Sequence, residues 1–375
     1  MKVPEEEIVI IGGGLAGLVC AIDLLKRGKP VTLIEKHAYP HHKVCGEFIS
    51  NEVRSYLHSL ALDVKSLKPA EISQFSLSTP TGTMITCQLP LGGFGISRFT
   101  IDHFLFQKAL LAGCKIITDT VENILFSDNL FAIHTQGNGV IKARIAIGAF
   151  GKRATIDQRL KRKFITKKSP WLAVKGHYQG NIKDDMVSLH LFKGGYCGVS
   201  RVENDIVNIC YLAEYKHFKP YKTIKDFQQK VLYKNPQLKN IFENFIPLFS
   251  EPLSISQISF AKKEQVNEHI LMIGDTAGLI HPLCGNGMAM AIHSAKICAK
   301  LCAQFLDGQI KTRDLLEQNY IATWNSNFQY RLRMGRILST IIKKEKLFNI
   351  LLRLMATFPA LLRMIIRNTH GKPNI

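Results

Sequence analysis

A cysteine in a short charged loop is the first residue of this sequence whose type and setting suit chemistry. Residues 42–50 read HKVCGEFIS, so Cys45 stands two residues after Lys43 and directly before a glycine and a glutamate. A thiol beside a lysine can serve as a proton donor, whereas a cysteine that only shapes a pocket needs no reactivity. The neighbouring His41 and His42 do not make the loop a metal site, because three ligands within five residues leave no distant fourth. We therefore predict no metal, and the sequence leaves both roles of the thiol open.

The elements before this loop predict a dinucleotide site. The segment EIVIIGGGLAGLVCAIDLLKRGKPVTLIEK has the order strand, glycine turn, helix and strand, and it ends at an acidic residue. The glycines allow the tight turn, the approach of a pyrophosphate and close packing of helix on strand. The helix N-terminus offers N–H groups to the phosphates, and the acid favours an unphosphorylated ribose, as in FAD or NAD. The predicted cofactor-binding residues of this unit are Gly12, Gly14, Leu15, Ala16, Gly17, Glu35 and Lys36.

A distant segment supplies the second half of this prediction. Residues 269–301, HILMIGDTAGLIHPLCGNGMAMAIHSAKICAKL, indicate a buried strand, a glycine-containing loop and a helix. An aspartate at the end of a strand can bind a sugar-like hydroxyl, and a helix N-terminus can face an electron-rich ring edge. The residues predicted to bind the cofactor here are Gly274, Asp275, Gly285, Gly287 and Met288.

Together the two segments resemble the flavin-dependent oxidoreductases built like p-hydroxybenzoate hydroxylase, and most closely their geranylgeranyl-reductase-like branch. The resemblance runs from residue 7 to about residue 294, with a variable middle. It implies bound FAD, with Asp275 on the ribityl chain and Met288 near the flavin ring. Two more segments, GISRFTIDHFLFQKAL and GCKIITDTVENI, resemble family segments that would place Arg98 on the cofactor and Val121 beside the adenine. A second glycine fingerprint in the right context is missing, so NAD(P)H is expected as a transient reductant without its own Rossmann domain.

The same resemblance bears on the cysteine loop and on the reaction. KVCGEFIS is similar to a Lys-Pro-Cys-Gly-Asp stretch of archaeal geranylgeranyl reductases, which implies that Lys43 and Cys45 border the flavin. Reduction of an unactivated C=C bond requires a hydride from the flavin and a proton from the opposite side, which Cys45 would supply. Where those reductases have Tyr-x-Trp-x-Phe-Pro, this chain keeps Tyr196 but has Gly198 for the tryptophan, and the same gap removes the Trp-x-Trp-x-Ile-Pro signature of flavin halogenases. Phe150 also replaces a family aspartate. We predict Cys45 and Tyr196 as the catalytic residues.

Composition and charge limit the class of protein and its partners. The 375 residues favour two domains over one, and an apolar share of 46% suffices for a sizeable core. Lys and Arg outnumber Asp and Glu by 49 to 29, which favours anionic partners such as acidic lipid or a carrier-bound substrate. Nucleic acid is not expected, because no binding motif accompanies the charge. Nine cysteines without a C-x-x-C pair and an acidic start without a secretory pattern predict a cytoplasmic protein.

The pattern of apolar runs predicts an α/β fold with three regions. A Rossmann-like FAD-binding domain would be discontinuous in sequence. Alternating apolar residues predict an antiparallel β-sheet substrate domain that covers one face of the flavin, and a C-terminal helical region follows. The predicted bounds are 1–69, 96–165 and 263–308 for the FAD domain, 70–95 and 166–262 for the substrate domain, and 309–375 for the helical region.

The helical region is both apolar and basic. Over residues 331–367 a spanning helix would bury Arg353 and Arg363 at roughly 2.5–3.5 kcal/mol each, with Pro359 between them, so we predict no transmembrane helix. Two interpretations stay open: a helical cap on the catalytic domain or a partner subunit, and an interfacial helix pair drawn to anionic lipid at the inner face of the membrane. The basic run RLKRKFITKK at 159–168 is interpreted as solvated surface.

These observations predict an FAD-dependent oxidoreductase that acts on a hydrophobic substrate, either isoprenoid or carrier-linked. Flavin-mediated C=C reduction is the first prediction because of the cysteine loop. The alternative is an FAD-dependent monooxygenase that hydroxylates its substrate with NAD(P)H and O2. A third class is a non-catalytic flavoprotein that relays electrons or senses redox state.

Overall fold

Two β-sheets with helices around them make up the part of the chain that the structure describes. The computed structural model describes residues 5–343, 351–352, 354–355, 357 and 359–371. The helices are α1 (Leu15–Lys26), α2 (Arg54–Ser59), α3 (Arg98–Leu111), α4 (Thr155–Arg159), α5 (Tyr215–Phe218), α6 (Ile224–Lys230), α7 (Pro236–Asn244), α8 (Gly287–Leu306), α9 (Arg313–Lys343) and α10 (Pro359–Thr369). Short 3-10 helices lie at Asn51–Val53, Val64–Leu67, Lys163–Ile165, Glu203–Asp205, Leu232–Lys234, Gly274–Thr276 and Pro282–Cys284.

The first sheet has a parallel centre. Its strands are β1 (Glu5–Ile11), β2 (Val31–Glu35), β6 (Lys115–Thr118), β7 (Val121–Ser127), β8 (Leu130–Thr135), β9 (Val140–Gly148), β16 (Val266–Asn267) and β17 (Ile270–Met272). They lie in the order β16-β17-β9-β1-β2-β6, with β8 and β7 joined to β9. β1 runs parallel to β2 and β9, which is possible because α1 provides the crossover between β1 and β2. The continuous apolar runs of β1 and β2 are buried, as expected for strands covered on both faces.

The second sheet stands beside the first. Its strands are β3 (Phe48–Ser50), β4 (Ala70–Ser78), β5 (Met84–Gly95), β10 (Trp171–Gln179), β11 (Met186–Phe192), β12 (Gly195–Arg201), β13 (Val207–Glu214), β14 (Ile246–Pro247) and β15 (Leu253–Ser256). They lie in the order β14-β10-β13-β12-β11-β4-β5-β3, with β15 also beside β10. The mixed α/β fold with a Rossmann-like sheet and a second sheet is thereby confirmed.

One pair of strands departs from the predicted antiparallel sheet. β4 and β11 run parallel, from the pair Gln74 and Met186 to the pair Ser78 and His190. These two strands are separated by much of the first sheet in sequence, so their connection is long enough to return the chain in the same direction. Alternation of apolar residues identifies a strand and its buried face, but it carries no information about the direction of a neighbour from another segment.

Each face of the second sheet is covered by different helices. On one face, Phe227, Leu238 and Ile241 of α6 and α7 pack against residues such as Val174 and Tyr211. On the other face, four residues of the C-terminal region pack against the apolar side chains of β4, β11, β12 and β13. The four residues are Leu352, Met355, Leu362 and Ile366. This packing agrees with the interpretation of the C-terminal region as a cap on the rest of the chain.

The C-terminal segment is described by the structure only in part. Residues 344–350 and Arg353, which the sequence interpretation included, lie outside the described residues. α10 begins at Pro359, a position that suits the fixed backbone angle of proline. Within the described ranges, no helix combines the length and the hydropathy needed to cross a membrane.

Candidate active site

The glycine turn between β1 and α1 is packed too tightly for other residues. A Cβ on Gly12 would lie 2.4 Å from the Ala149 carbonyl oxygen, and a Cβ on Gly17 would lie 2.0 Å from the Gly12 carbonyl oxygen. Gly12 also has a φ of +108°, which favours glycine. These contacts hold the start of α1 against the ends of β1 and β9, as the sequence predicted.

Gly14 differs from its neighbours because the space beside it is open toward two cations. A Cβ there would meet only Arg98 Nη2 at 3.5 Å and Lys43 Nζ at 3.9 Å. Gly14 is also the N-cap of α1, and the first N–H groups of a helix have no acceptor within the helix. An open cradle with free N–H groups and two cations fits the pyrophosphate of a dinucleotide. The predicted residues Gly14, Arg98 and Lys43 are therefore brought together.

Asp102 holds both cations in place. Its carboxylate accepts hydrogen bonds from Arg98 Nε at 2.8 Å, from Arg98 Nη2 at 2.7 Å and from Lys43 Nζ at 2.9 Å. Although burial alone would raise the pKa of Asp102, the charges of Arg98 and Lys43 outweigh it and keep the pKa below its usual value. Two cations against one carboxylate leave about one positive charge for the phosphates. The i, i+4 spacing of Arg98 and Asp102 was visible in the sequence, but Asp102 was not predicted as a site residue.

Glu35 lies at the opposite end of the glycine turn. Its carboxylate accepts hydrogen bonds from Gly13 N at 2.6 Å and from His37 N at 3.1 Å, and further lone pairs remain for a ribose hydroxyl. Asp119 N donates to the Glu35 carbonyl oxygen at 3.0 Å, which brings the chain just before β7 beside Glu35. Val121, predicted to lie beside the adenine, is the first residue of β7 and is half-buried, whereas Lys36 is exposed. Their binding roles stay predictions.

The second predicted signature lies at the ends of β17 and α8. Gly274 has a φ of +60° and its N–H donates to Ser294 Oγ at 2.8 Å, so the turn is fixed against α8. Asp275 follows it, and its carbonyl oxygen accepts a hydrogen bond from Lys263 Nζ at 2.7 Å. Asp275 lines the central cavity together with Gly14 of the first signature. The two signatures therefore face one space.

That space is a cavity of about 290 Å³ that continues from the cofactor signatures into an apolar chamber. At the cofactor end it is lined by Leu15, Ala16, Arg98, Asp275, Gly287 and Met288. In the chamber the second sheet contributes Phe75, Leu77, Leu189, Leu191 and Leu212. The C-terminal helices close the chamber with Leu338, Leu351, Met355, Leu362 and Ile366. The lining is mostly aliphatic, which suits a hydrophobic ligand.

Cys45 lies where the cofactor end meets the chamber: its neighbour Val44 packs against the apolar cluster of the chamber, and both residues share the cavity lining with Arg98 of the cofactor end. The side chain is half-buried and lines the cavity, together with Gly46 and Glu47. Glu47 is fully buried, and its carboxylate accepts hydrogen bonds from Lys175 Nζ at 2.5 Å and Arg98 N at 2.7 Å, while its second oxygen lies 2.7 Å from His177 Nε2. Burial alone would raise the pKa of Glu47, but His177 and Lys175 lower it, so the carboxylate is ionised.

Lys175 and His177 were not identified from the sequence. They stand two residues apart on β10, and the period of two places them on the same face as Ala173, which lines the cavity. The sequence does show two ionisable residues on the inward face of a predicted strand, which could have indicated a site. Their partner Glu47, however, is more than a hundred residues away in sequence. Only the folded sheet brings them together.

Tyr196 on β12 lines the cavity and belongs to the apolar cluster of the chamber. It is 4% exposed, and its hydroxyl faces the backbone of Leu283 without a hydrogen bond of normal geometry. Burial raises the pKa of Tyr196 well above its usual value, so the hydroxyl stays protonated and can donate to a ligand. Gly198 lies on the same strand, and a Cβ there would have no contact closer than 3.5 Å, so a larger side chain is not excluded by the backbone.

Two residues that follow β9, Phe150 and Arg162, are both at least partly buried and lie away from the cavity lining. Phe150 does not line the cavity; a Cβ on Gly148 would lie 2.7 Å from its ring, so the ring folds back over the sheet. Arg162, within the basic run taken as solvated surface, is completely buried and bonds Asp157 at 2.9 Å and the Thr276 carbonyl oxygen at 2.9 Å. That interpretation was wrong for Arg162, because a charge run does not reveal which of its members finds a buried carboxylate.

Comparison with known proteins identifies the class to which this site belongs. Residues 7–65 match the family model described as FAD dependent oxidoreductase. The chain is 22% identical over 379 residues to conditioned medium factor receptor 1 of Dictyostelium discoideum, covering 90% of this chain and 70% of that protein. It is 23% identical over 358 residues to a digeranylgeranylglycerophospholipid reductase of Methanococcus vannielii, covering 92% and 89%.

The solved structures share the fold along almost the whole chain. The flavin-dependent brominase Bmp2 superimposes with a TM-score of 0.81 at 17% identity, covering 97% of this chain and 93% of that one. The family match contains the glycine turn, the acidic strand end and the cysteine loop, and the geometry of the turn fits the cofactor that the family name states. The chain is therefore an FAD-dependent oxidoreductase.

Proposed function

We propose that this enzyme reduces C=C bonds of a long hydrophobic substrate, either an isoprenoid or a carrier-linked chain. The observation that carries the proposal is the continuity of the cavity: a cofactor end lined by both predicted FAD signatures opens into an aliphatic chamber, with Cys45 at the junction. The name of the Methanococcus vannielii relative, a reductase of a digeranylgeranyl lipid, supports a substrate of this kind.

Bound FAD, once reduced, would supply the hydride, and the residues of this chain would supply position, exclusion of water and a proton. Gly14, Arg98 and Lys43 would bind the pyrophosphate, and Asp275 the ribityl chain. The aliphatic walls would hold the substrate chain and keep water from the reacting carbon atoms. The hydride would go to one carbon of the double bond, and Cys45 would give its thiol proton to the other carbon. Solvent would later reprotonate the Cys45 thiolate.

Tyr196 would orient the substrate from the sheet side of the cavity. Its buried hydroxyl stays protonated, so it can donate one hydrogen bond to a polar group of the substrate. NAD(P)H is proposed as the reductant that reloads the cofactor between turnovers.

Monooxygenation is the second candidate, because the space beside Gly198 also admits a compact substrate. A glycine at this point of β12 leaves room in the cavity for a compact ring as well as for a chain. A flavin-dependent monooxygenase would use NAD(P)H and O2 and would insert one oxygen atom into such a ring.

The test separates the two reactions by the mass of the product. FAD-loaded protein is incubated without oxygen with dithionite and geranylgeranyl-linked or acyl-carrier-linked alkenes, and separately with NADPH and O2. Products that gain two hydrogen atoms for each reduced bond support the reductase. Products that gain one oxygen atom, formed only in air, would overturn it in favour of the monooxygenase.

Cys45→Ala provides the residue-level test, with Cys114→Ala as the matched control because Cys114 is buried near the start of β6 and does not line the cavity. We expect Cys45→Ala to lower the rate of reduction by about 10²–10⁴-fold, the usual contribution of a positioned proton donor, while FAD binding is retained. An unchanged rate would remove Cys45 from the mechanism.

A further inference from the structure

Three consecutive carbonyl oxygens of the cysteine loop accept hydrogen bonds from side chains of three different elements. The acceptors belong to residues 43, 44 and 45, which have no regular secondary structure. We call the three donors the loop clamp. Lys175 Nζ donates to the Lys43 carbonyl oxygen at 3.2 Å, Lys152 Nζ to the Val44 carbonyl oxygen at 2.7 Å, and Asn208 Nδ2 to the Cys45 carbonyl oxygen at 3.3 Å.

The clamp is unusual because two of its members are lysines. Loop carbonyl groups are ordinarily hydrated, and a lysine ammonium is ordinarily solvated or paired with a carboxylate. Here Lys175 is completely buried and divides its donors between the Lys43 carbonyl oxygen and Glu47. Lys152 lines the cavity and donates to the loop. The charged donors are therefore used to hold backbone, and hydrogen bonds from charged groups are stronger than neutral ones.

The end of the loop is fixed by the same residues. Glu47 has a φ of +55°, a conformation that a non-glycine residue rarely adopts. Lys175, His177 and the Arg98 N–H all bind its carboxylate, so contacts to β10 of the second sheet and to the start of α3 hold it in this conformation. The clamp and Glu47 thus fix every residue from 43 to 47 except Gly46.

We propose that Lys152, Lys175 and Asn208 are positioning residues that hold Cys45 at the junction of the cofactor end and the apolar chamber. The proposal rests on the proposed role of Cys45 as a proton donor and deepens it. A thiol that transfers a proton to carbon must be held within hydrogen-bond reach of its target, and the backbone on either side of Cys45 has no regular structure to do so. The clamp supplies that rigidity from β10, β13 and the loop after β9.

The first measurement is the rate at which iodoacetamide alkylates Cys45 in protein without substrate, read by mass spectrometry of the cysteine peptide. Cys87, half-buried on β5, serves as the internal reference in the same molecule. In Lys152→Met and Asn208→Ala we expect the ratio of the Cys45 rate to the Cys87 rate to rise at least tenfold, which corresponds to about 1.4 kcal/mol of lost loop order. Lys163→Met is the matched control, because Lys163 is exposed and outside the clamp.

Lys175 requires a paired variant, since its removal alone would leave the Glu47 carboxylate buried without its cation. Lys175→Met with Glu47→Gln removes both charges, and circular dichroism establishes that it is folded. The second measurement is turnover: clamp variants should lose kcat with KM nearly unchanged, and Lys152→Arg should restore much of the loss.

The two measurements distinguish the positioning role from the proposed reaction. A ratio of alkylation rates that stays within twofold of the wild type in all clamp variants would overturn the positioning role. If the ratio rises but no alkene is reduced by the wild type, the clamp is supported and the reductase proposal fails. A fall in kcat without a change in the ratio would also overturn the clamp, because the loop would then be unaltered.

Discussion

One buried carboxylate, Glu52, binds residues at both ends of the C-terminal cap, and removing the cation that pairs with it should open the cap locally. Glu52 is 1% exposed and accepts hydrogen bonds from Arg331 Nη1 at 3.0 Å, from Asn286 Nδ2 at 3.2 Å and from the Gly371 N–H. Arg331 belongs to α9, and Gly371 lies two residues after the end of α10. The perturbation that we consider is Arg331→Met, which keeps an unbranched apolar stem but removes the guanidinium group and its charge.

The expected cost follows from this geometry. Breaking a buried ion pair by removing one partner typically costs about 3–5 kcal/mol, because the remaining charge stays buried without compensation. Asn286 and Gly371 still donate to Glu52 in the variant, so we expect the lower end, about 3 kcal/mol. Leu362 and Ile366 continue to pack on the second sheet, so the cap should open locally rather than unfold. Amide exchange in residues 359–371 should then become about a hundredfold faster.

Hydrogen–deuterium exchange followed by mass spectrometry measures this directly. Arg333→Met is the matched control, because Arg333 is exposed on the same helix. The double variant Glu52→Gln/Arg331→Met removes both charges and should recover most of the protection. If exchange in 359–371 were unchanged in Arg331→Met while the thermal midpoint fell, the pair would stabilise the protein elsewhere and the reasoning about the cap would be refuted.

Three further predictions concern the cofactor turn, the sheet and the cavity. Gly14→Val should weaken FAD binding at least tenfold without unfolding the chain, because the valine side chain would occupy the open cradle beside Arg98. Titration of the apoprotein with FAD, followed by flavin fluorescence, measures the affinity, and an unchanged affinity would contradict the assignment of Gly14 to the cofactor site. Burial lowers the pKa of His190 to about 4, so below pH 6.5 the unfolded chain binds a proton that the folded chain does not. The free energy of unfolding should therefore fall by about 2 kcal/mol between pH 7 and pH 5. In His190→Gln the free energy of unfolding should depend less on pH, and a curve parallel to that of the wild type would exclude His190 as the cause. Tyr196→Phe should lower kcat while leaving FAD affinity unchanged, and a loss of FAD instead would show that the hydroxyl serves the cofactor.

The part of the site that the sequence predicted obeys local rules. The glycines between β1 and α1, the acid at the end of β2 and the strand end at Asp275 each occupy a fixed place within one strand–turn–helix unit. Their geometry follows from contacts between neighbours in sequence, such as the approach of Gly17 to Gly12. A single segment of about thirty residues is therefore enough to predict them.

The remaining part depends on pairs that are far apart in sequence. Glu47 meets Lys175 and His177 across 128 and 130 residues, and Glu52 meets Arg331 across 279. Nothing in the spacing of these residues identifies their partners, because the pairing is set by how two sheets and a late helix are placed together. The parallel pair of β4 and β11 was missed for the same reason. Arg162 is buried although it belongs to a basic run. The composition of a segment therefore predicts that most of its charged residues are exposed, but it does not identify the one that is buried.

The attachment of the cap to Glu52 also fixes an order of events during synthesis. The backbone N–H of Gly371 that binds Glu52 lies 319 residues further along the chain. At roughly 5–20 residues per second, this partner emerges from the ribosome about 15–60 s after the carboxylate. Its other partners, Asn286 and Arg331, emerge earlier, but until α10 is synthesised the apolar chamber lacks part of its C-terminal wall. Closing the chamber is therefore a late step of folding, and this part of the apolar face of the second sheet stays uncovered until α10 docks.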